Sequence, residues 1–330
     1  MNHNTFGWCF IGSGSITRRV MRDLSRYAKL SRLVSVYSPN PAHAEALATE
    51  YGAVWCKSAE EAIGYQGVDG VYIATPHTLH LTAAEVALRL GKPVLCEKPL
   101  TPNLEQTARL ADLAEEKGLY LAEAMWTRYN PVICKVKEWI LEGKIGKVHC
   151  VEAEFGGRSA YNPASRIFSP ALAGGAILDI GVYPISLAQM VYGDEMPRRI
   201  AAVGNLTPDG VDGDAGILLH YPCGGIATLF TSVTASTPSM AKICGEEGVI
   251  LIHAPFWKSR GATLNAHGKQ ERFTLDEGDY EGFHFEFDGV AKEILAGKTE
   301  SDKISLSASC RVAAITDEVR RQLGVVYPFE

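Results

Sequence analysis

The sequence predicts an α/β fold in two parts: a parallel sheet wound on both faces, then a half built on longer, mostly antiparallel strands. Three observations carry this. Short apolar runs alternate with helix-period segments over the first third of the 330 residues, as βαβ units require. A glycine-rich turn follows the first of those runs. Beyond about residue 145 the strand-like segments lengthen and are punctuated by Gly, Pro, Asn and Asp, as sheet turns require.

Phe6–Ile11 is the first strand and ends at Gly12-Ser13-Gly14. Residues 16–27 carry Ile16, Val20, Leu24 and Tyr27 at helical spacing. A strand at 33–37 follows, then a helix opened by Pro41 that runs to Tyr51. Ser58-Ala-Glu-Glu61 has the form of a capping box and starts a short helix. Residues 70–75 form a third apolar strand and 79–90 a helix stopped by Gly91. The fourth strand, 94–96, delivers Glu97 and Lys98 before Pro99. Thr101 is the expected N-cap of the next helix, with Pro102 at its first position and Gly118 at its end. A fifth strand covers 119–122, and the boundary between the halves is expected near Ala124, giving 1–124 and 125–330. In the second half a helix covers 131–143, strands cover 149–155, 200–205, 215–221, 225–233 and 248–254, and a helix at 176–192 interrupts the series. An amphipathic helix, Leu306–Leu323, closes the chain.

Composition narrows the function. Hydrophobic residues at 46% and charged residues at 21% are ordinary for a globular protein, and a chain this long suits two domains. A net charge of −6 argues against a nucleic-acid partner, which needs a basic face. Apolar runs such as 70–75 fall short of the roughly 20 residues of a membrane span. The strand opening at Phe6 leaves no room for a signal peptide, so a cytoplasmic location is expected. The eight cysteines are scattered and form no C-x-x-C, which reads as buried small hydrophobes in a reducing compartment. No metal site is expected.

Gly12 and Gly14 match the first two glycines of a dinucleotide-binding turn, one for the turn and one for close approach of a pyrophosphate. Thr17 stands where the third is usual. The helix that follows offers amides and a dipole suited to phosphate. No acidic residue occurs between Asp23 and Glu45, where a site selective for NAD would want one. Tyr37-Ser38-Pro39-Asn40 supplies a hydroxyl and an amide instead, so NADP is favoured and NAD stays possible. Thr75-Pro76-His77-Thr78-Leu79-His80 ends the third strand on the same edge; Thr78 is an ordinary helix cap on one reading, and His80 points to the ligand crevice on the other.

Glu97 and Lys98, at the C-terminal end of a strand, are either a surface ion pair at a turn or part of a ligand site. Asp179 and Tyr183 are four apart and share one helix face, with Gly181 between them as a sign of close approach. A packed junction tyrosine is the plain alternative. A phenol has a pKa of about 10 and is a poor base at neutral pH, but a nearby ammonium favours its phenolate. That makes Lys98 and Tyr183 the candidate catalytic pair.

Glu97-Lys98-Pro99, Thr75-Pro76, the glycine turn and Gly174-Gly175 through Asp179-x-Gly181 together resemble the glucose–fructose oxidoreductase and inositol dehydrogenase (Gfo/Idh/MocA) family over nearly the full length. Residues 124–131 (Ala-Met-Trp-Thr-Arg-Tyr-Asn-Pro), with Tyr183, are most similar to its branch of dimeric dihydrodiol and NADP-xylose dehydrogenases. The resemblance implies an α/β Rossmann domain and an α+β domain with an open-faced, mostly antiparallel sheet, whose exposed face makes a homodimer or homotetramer. It implies that Lys98 and Tyr183 are catalytic and that Gly12, Gly14, Ser15, Ile16, Ser38, Thr75, Pro76, His80, Glu97, Lys98, Trp126 and Arg128 line the cofactor. It gives Asp179 the substrate hydroxyl, with Trp126 and Phe155 beside the substrate. Tyr161, Phe168 and Phe283 are further aromatic candidates, and Arg158 and Arg166 could meet an acidic substrate. The expected activity is hydride transfer between NADP (or NAD) and a carbinol or carbonyl of a sugar, polyol or trans-dihydrodiol. The alternative is a non-catalytic dinucleotide-binding regulator of the same fold.

Overall fold

A computed structural model describes residues 5–193, 195–276 and 278–330. Residues 1–4, part of the stretch used to judge a leader segment, lie outside the described residues. The chain falls into two compact units. One runs to Tyr129 and also takes in Asp279–Ser309; the other comprises Asn130–Gly278 and Cys310–Glu330.

The first unit runs β1 (Phe6–Ile11), α1 (Ser15–Tyr27), β2 (Ser31–Tyr37), α2 (Pro41–Tyr51), β3 (Val54–Trp55), α3 (Ala59–Ile63), β4 (Gly70–Ile73), α4 (His80–Arg89), β5 (Val94–Glu97), α5 (Leu104–Lys117) and β6 (Leu121–Ala124). The strands form a six-stranded parallel sheet in the order β3-β2-β1-β4-β5-β6. Sequence alone predicts five; the sixth, β3, has only two residues and shows no periodicity. The order reverses between β1 and β4, so the glycine turn and the Thr75 loop leave the sheet side by side, the usual ligand edge of such folds.

Local signals explain most boundaries. Asn40 accepts the His43 amide to start α2, and Ser58 accepts the Glu61 amide to start α3. Two starts differ from expectation. α5 begins at Leu104 because Asn103, not Thr101, accepts the Gln106 amide; the Thr101 hydroxyl is turned to the Asn103 carbonyl. Thr78 does not cap α4; it lies inside a 3₁₀ turn, His77–Leu79, that leads into it.

The second unit contains α6 (Pro131–Leu141), β7 (Val148–Gly156), a π-helical turn (Ile177–Gly181) continuing as α7 (Val182–Tyr192), and β8 (Arg199–Leu206), β9 (Asp212–His220), β10 (Ile226–Ser232), β11 (Ala241–Gly245), β12 (Gly248–Ile252), β13 (Gly261–Ala266) and β14 (Lys269–Thr274). The eight-stranded sheet has the order β14-β13-β12-β11-β7-β10-β9-β8 and is antiparallel except between β7 and β10. One face buries Val151, Ile217, Leu219, Ala227 and Leu229, while Val203, Leu218 and Ile226 are exposed on the other. The helical stretch Pro170–Tyr192, 23 residues long, is apolar enough to cross a membrane, against the expectation that no segment is. Its most apolar window is 83% buried within the protein, which makes it a core helix.

The chain then adds α8 (Phe283–Leu295) to the first unit, and the division between units falls within α9 (Leu306–Leu323). α8 escapes sequence reading because Phe283-His-Phe-Glu-Phe alternates like a strand and its cap is remote. Asp23 of α1 accepts the backbone amides of Glu281, Gly282 and His284, while Asp288 accepts those of Lys29, Leu30 and Ser31. Two carboxylates thus bolt α8 to α1. None of the eight cysteines is in a disulfide; Cys9, Cys56 and Cys96 are buried as expected, but Cys223 is exposed.

Candidate active site

In the first unit the glycine turn could hold a phosphate. Gly12 has φ +112°, and a Cβ there would run into the Ala74 carbonyl oxygen, so only glycine suits. Gly14 faces open space, with no atom within 4 Å of where a Cβ would sit. No side chain caps α1 and its first turn holds no acid, so its amides are left for an anion. Thr17 is accommodated by donating its hydroxyl to the Gly12 carbonyl at 3.1 Å. Ser15 and Ile16 form the first turn of α1. At the end of β2, Ser38 Oγ accepts the Asn40 amide at 3.4 Å, while Asn40 Oδ1 is occupied in capping α2. The Thr75 hydroxyl is buried without a hydrogen-bond partner. Open space, free helix amides and an orphaned hydroxyl fit a dinucleotide.

His80 is fully buried and faces two backbone carbonyls, Nδ1 at 2.9 Å from Pro99 and Nε2 at 3.0 Å from Thr75. It ties the end of β4 to the turn after β5; no ring nitrogen is left for a ligand. Burial pushes the imidazolium pKa down; the two carbonyls oppose this, and the nearby Lys98 charge adds to it.

Glu97 accepts the Tyr72 hydroxyl at 2.6 Å and the Lys98 amide at 3.3 Å. Glu123 accepts the Leu100 amide at 3.2 Å and the Ser309 hydroxyl at 2.7 Å. Burial pushes both carboxyls up while the Lys98 charge pulls both back, so the ammonium acts on carboxyls from two neighbouring strands. Glu286 of α8 is 1% exposed, and its carboxyl is raised well above the usual range by burial and by the charges of Glu97 and Glu123. Trp126 is stacked on Phe283, 4.2 Å between centroids, and the Arg19 guanidinium lies 5.5 Å from the Phe283 ring. The Arg128 Nε donates to the Lys303 carbonyl at 3.1 Å.

In the second unit Tyr183 lies in the first turn of α7 with its ring 5.5 Å from that of Phe155. Phe155 in turn stacks flat on Trp257, 3.4 Å between centroids at 5°. Asp179 lies in the π-helical turn and accepts from Arg166 Nη1 at 2.9 Å. Such wide turns are frequent at functional sites. Close approach at Gly181 is real: a Cβ there would lie 3.2 Å from Thr231 Cγ2 of β10. Arg166 is therefore held by Asp179. Arg158 is tied through its backbone amide to Ser236, Tyr161 donates to Asp209, and Phe168 is a core residue against Tyr161.

The structure thus groups Glu97 and Lys98 with Tyr72, Glu123 and Glu286, groups Tyr183 and Phe155 with Trp257, and pairs Asp179 with Arg166. Of these partners, sequence reading named only Arg166; Glu123, a carboxylate inside an apolar strand, carried a signal that was not used. Among the described residues no three His, Cys, Asp or Glu side chains gather as a metal site.

A model of the oxidoreductase family with an NAD-binding Rossmann fold (GFO/IDH/MocA) matches residues 6–125, and the GFO/IDH/MocA C-terminal domain matches residues 133–251. The chain is 34% identical over 278 residues to trans-1,2-dihydrobenzene-1,2-diol dehydrogenase of Xenopus tropicalis, spanning 82% of this chain and 83% of the relative. Among solved structures it is similar to KijD10, a 3-ketoreductase from Actinomadura kijaniata in complex with NADP and TDP-benzene. That match has a TM-score of 0.83 at 26% identity, over 97% of this chain and 98% of that one. Levoglucosan dehydrogenase in complex with NADH and levoglucosan shares the fold, with a TM-score of 0.84 at 20% identity over 97% of each chain.

Proposed function

The chain belongs to the GFO/IDH/MocA family of oxidoreductases, and from that premise we propose that it is an NADP(H)-preferring dehydrogenase acting on the CH–OH group of a neutral cyclic diol, polyol or sugar. The observation that carries this reading is the Tyr183 ring beside the flat Phe155–Trp257 stack, with the Asp179 carboxylate in the turn that leads into the same helix. A flat aromatic wall suits the apolar face of a ring, and a carboxylate suits a ring hydroxyl. Arg166 is already neutralised by Asp179, which favours an uncharged substrate. The dihydrodiol dehydrogenase relatives and the NADP complex of the ketoreductase support the same choice.

Gly12, Gly14, Ser15 and Ile16 would hold the pyrophosphate and Ser38 the adenosine end. Thr75, Pro76, Glu97 and Lys98, with Trp126 and Arg128, would hold the nicotinamide end. His80 supports that end by fixing the Thr75 and Pro99 carbonyls. The bound nicotinamide supplies the hydride acceptor or donor. In oxidation Tyr183, as phenolate, accepts the hydroxyl proton; in reduction it returns a proton to the carbonyl oxygen. The Lys98 ammonium favours the phenolate and steadies charge on the substrate oxygen. Lowering a phenol from about 10 by about 3 units corresponds to roughly 4 kcal/mol, within reach of a close ion–phenolate pair. Asp179 accepts from the neighbouring hydroxyl and orients the ring.

The exposed face of the eight-stranded sheet is the proposed contact of a homodimer or homotetramer, checked by light scattering. Cysteines outside disulfides suit a reducing compartment, and we place the protein in the cytoplasm. The deciding experiment is a turnover screen over trans-dihydrodiols, polyols and aldoses with NADP and with NAD, followed by nicotinamide absorbance. Turnover of a neutral ring substrate with NADP supports the proposal. Tight NADPH binding without turnover of any of them replaces it with a non-catalytic dinucleotide-responsive protein.

A further inference from the structure

We propose that Asp212 is a positioning residue for the substrate-side helix: through the gap left by Gly175, its buried carboxylate holds the Ile177 amide and so sets the turn that carries Asp179 and leads to Tyr183. The role given to those two residues rests on the activity proposed above; the geometry of Asp212 does not.

Asp212 opens β9, and its Oδ2 accepts the Ile177 amide at 2.6 Å. Ile177 is the first residue of the π-helical turn, so a carboxylate from another element supplies the cap that its own N-terminus lacks. Gly175 has φ +113°, and a Cβ there would run into Asp212 Oδ1. Side chains are barred from position 175 both by its backbone and by the carboxylate. The neighbouring Gly174 is held from outside as well, its carbonyl accepting the Tyr327 hydroxyl at 2.6 Å. The glycine pair is thus the seat of two clamps, one from β9 and one from the C-terminal segment.

Asp212 is more than a static cap. It is 0% exposed, and its Oδ1 has no hydrogen-bond partner. Burial pushes its carboxyl up to about 7, against the Ile177 amide and the charge of Arg320. The charged and titratable groups that face it are Arg320 from α9 and Tyr327, and Arg320 is itself held by Asp317 and Glu330. Near neutrality the cap therefore passes from a neutral acid to a carboxylate. The carboxylate is the stronger acceptor and the better match for a helix start.

The test is Asp212→Asn, which keeps an acceptor for Ile177 and removes the charge. For a ring-diol substrate the wild-type KM is expected to fall about tenfold as pH rises from about 6 to about 8, with the KM of the variant flat and kcat within about twofold. Parallel KM profiles overturn the proposal. Gly175→Ala, which crowds the carboxylate while keeping it, is expected to raise KM about tenfold at the higher pH; an unchanged KM overturns the proposal. A third readout needs no turnover. The folded chain keeps the Asp212 proton up to about 7 while the unfolded chain releases it near 4, so the wild type loses stability across that window as pH rises. Asp212→Asn should lose less in thermal unfolding, and an equal loss overturns the proposal. A stability difference seen without turnover of any ring substrate retains Asp212 as the holder of Ile177 and removes only the activity reading.

Discussion

Gly12 sits directly against the carbonyl of Ala74, where the loops leaving β1 and β4 meet, whereas Gly14 has nothing beside it. One glycine is required by the fold and the other by the space in front of it. Gly12→Ala should therefore destabilise the protein, by about 1–3 kcal/mol, through a left-handed backbone and a clash with that carbonyl. Gly14→Ala should leave the melting temperature unchanged and weaken NADPH binding by about tenfold or more, since its methyl enters the space proposed for the pyrophosphate. Thermal unfolding and fluorescence titration of NADPH separate the two. Unchanged affinity in Gly14→Ala would place the phosphates elsewhere.

Half-exposed Arg166 and nearly buried Asp179 form an ion pair at 2.9 Å. Asp179→Asn removes the charge proposed to accept the substrate hydroxyl and should lower kcat/KM by about tenfold to a hundredfold, leaving NADPH affinity untouched. Arg166→Gln should have a smaller effect, within about fivefold, because it only releases the carboxylate. A larger loss in Arg166→Gln than in Asp179→Asn would make the arginine the substrate contact.

Burial lowers the His80 pKa below the ordinary value of about 6.5, against the Pro99 and Thr75 carbonyls, which favour the imidazolium. Below that value the unfolded chain gains a proton that the folded chain resists, so stability from this group is present above about 6.5 and lost as pH falls. His80→Gln should flatten the acid side of the stability profile in thermal unfolding. A variant profile as steep as the wild type would mean that His80 does not titrate with unfolding.

The fold was legible wherever the signal was local. Continuous apolar runs gave β1, β4 and β5, and Pro41 and Gly118 marked helix ends. What escaped was set by distant partners. α8 reads as alternating residues and depends on Asp23 for its cap; β14 is Lys-Gln-Glu-Arg-Phe-Thr, a polar edge strand with no apolar face. The site divides the same way. Gly12, Glu97-Lys98 and Asp179-x-Gly181-x-Tyr183 are contiguous motifs, but Trp257 and Glu286 join them through topology, as does the pairing of Arg166 with Asp179. His80 shows the limit of motif reading: its position in the first turn of α4 was right, but its ring turns into the protein to hold two carbonyls.

Lys98 is proposed to hold the Tyr183 phenol in a range usable near neutrality. Lys98→Met should move the acid-side limb of the kcat/KM profile for oxidation, where the phenolate is lost, toward higher pH by more than about one unit and lower kcat by about a hundredfold or more. An unmoved limb would detach the lysine from the phenol.

The most direct measurement is the kcat of Tyr183→Phe at saturating NADP and ring substrate, with NADPH affinity measured in parallel. The account predicts a loss of about a thousandfold or more with affinity unchanged, because only the ionisable oxygen is removed. Turnover within about tenfold of the wild type would contradict it and take Tyr183 out of the proton transfer.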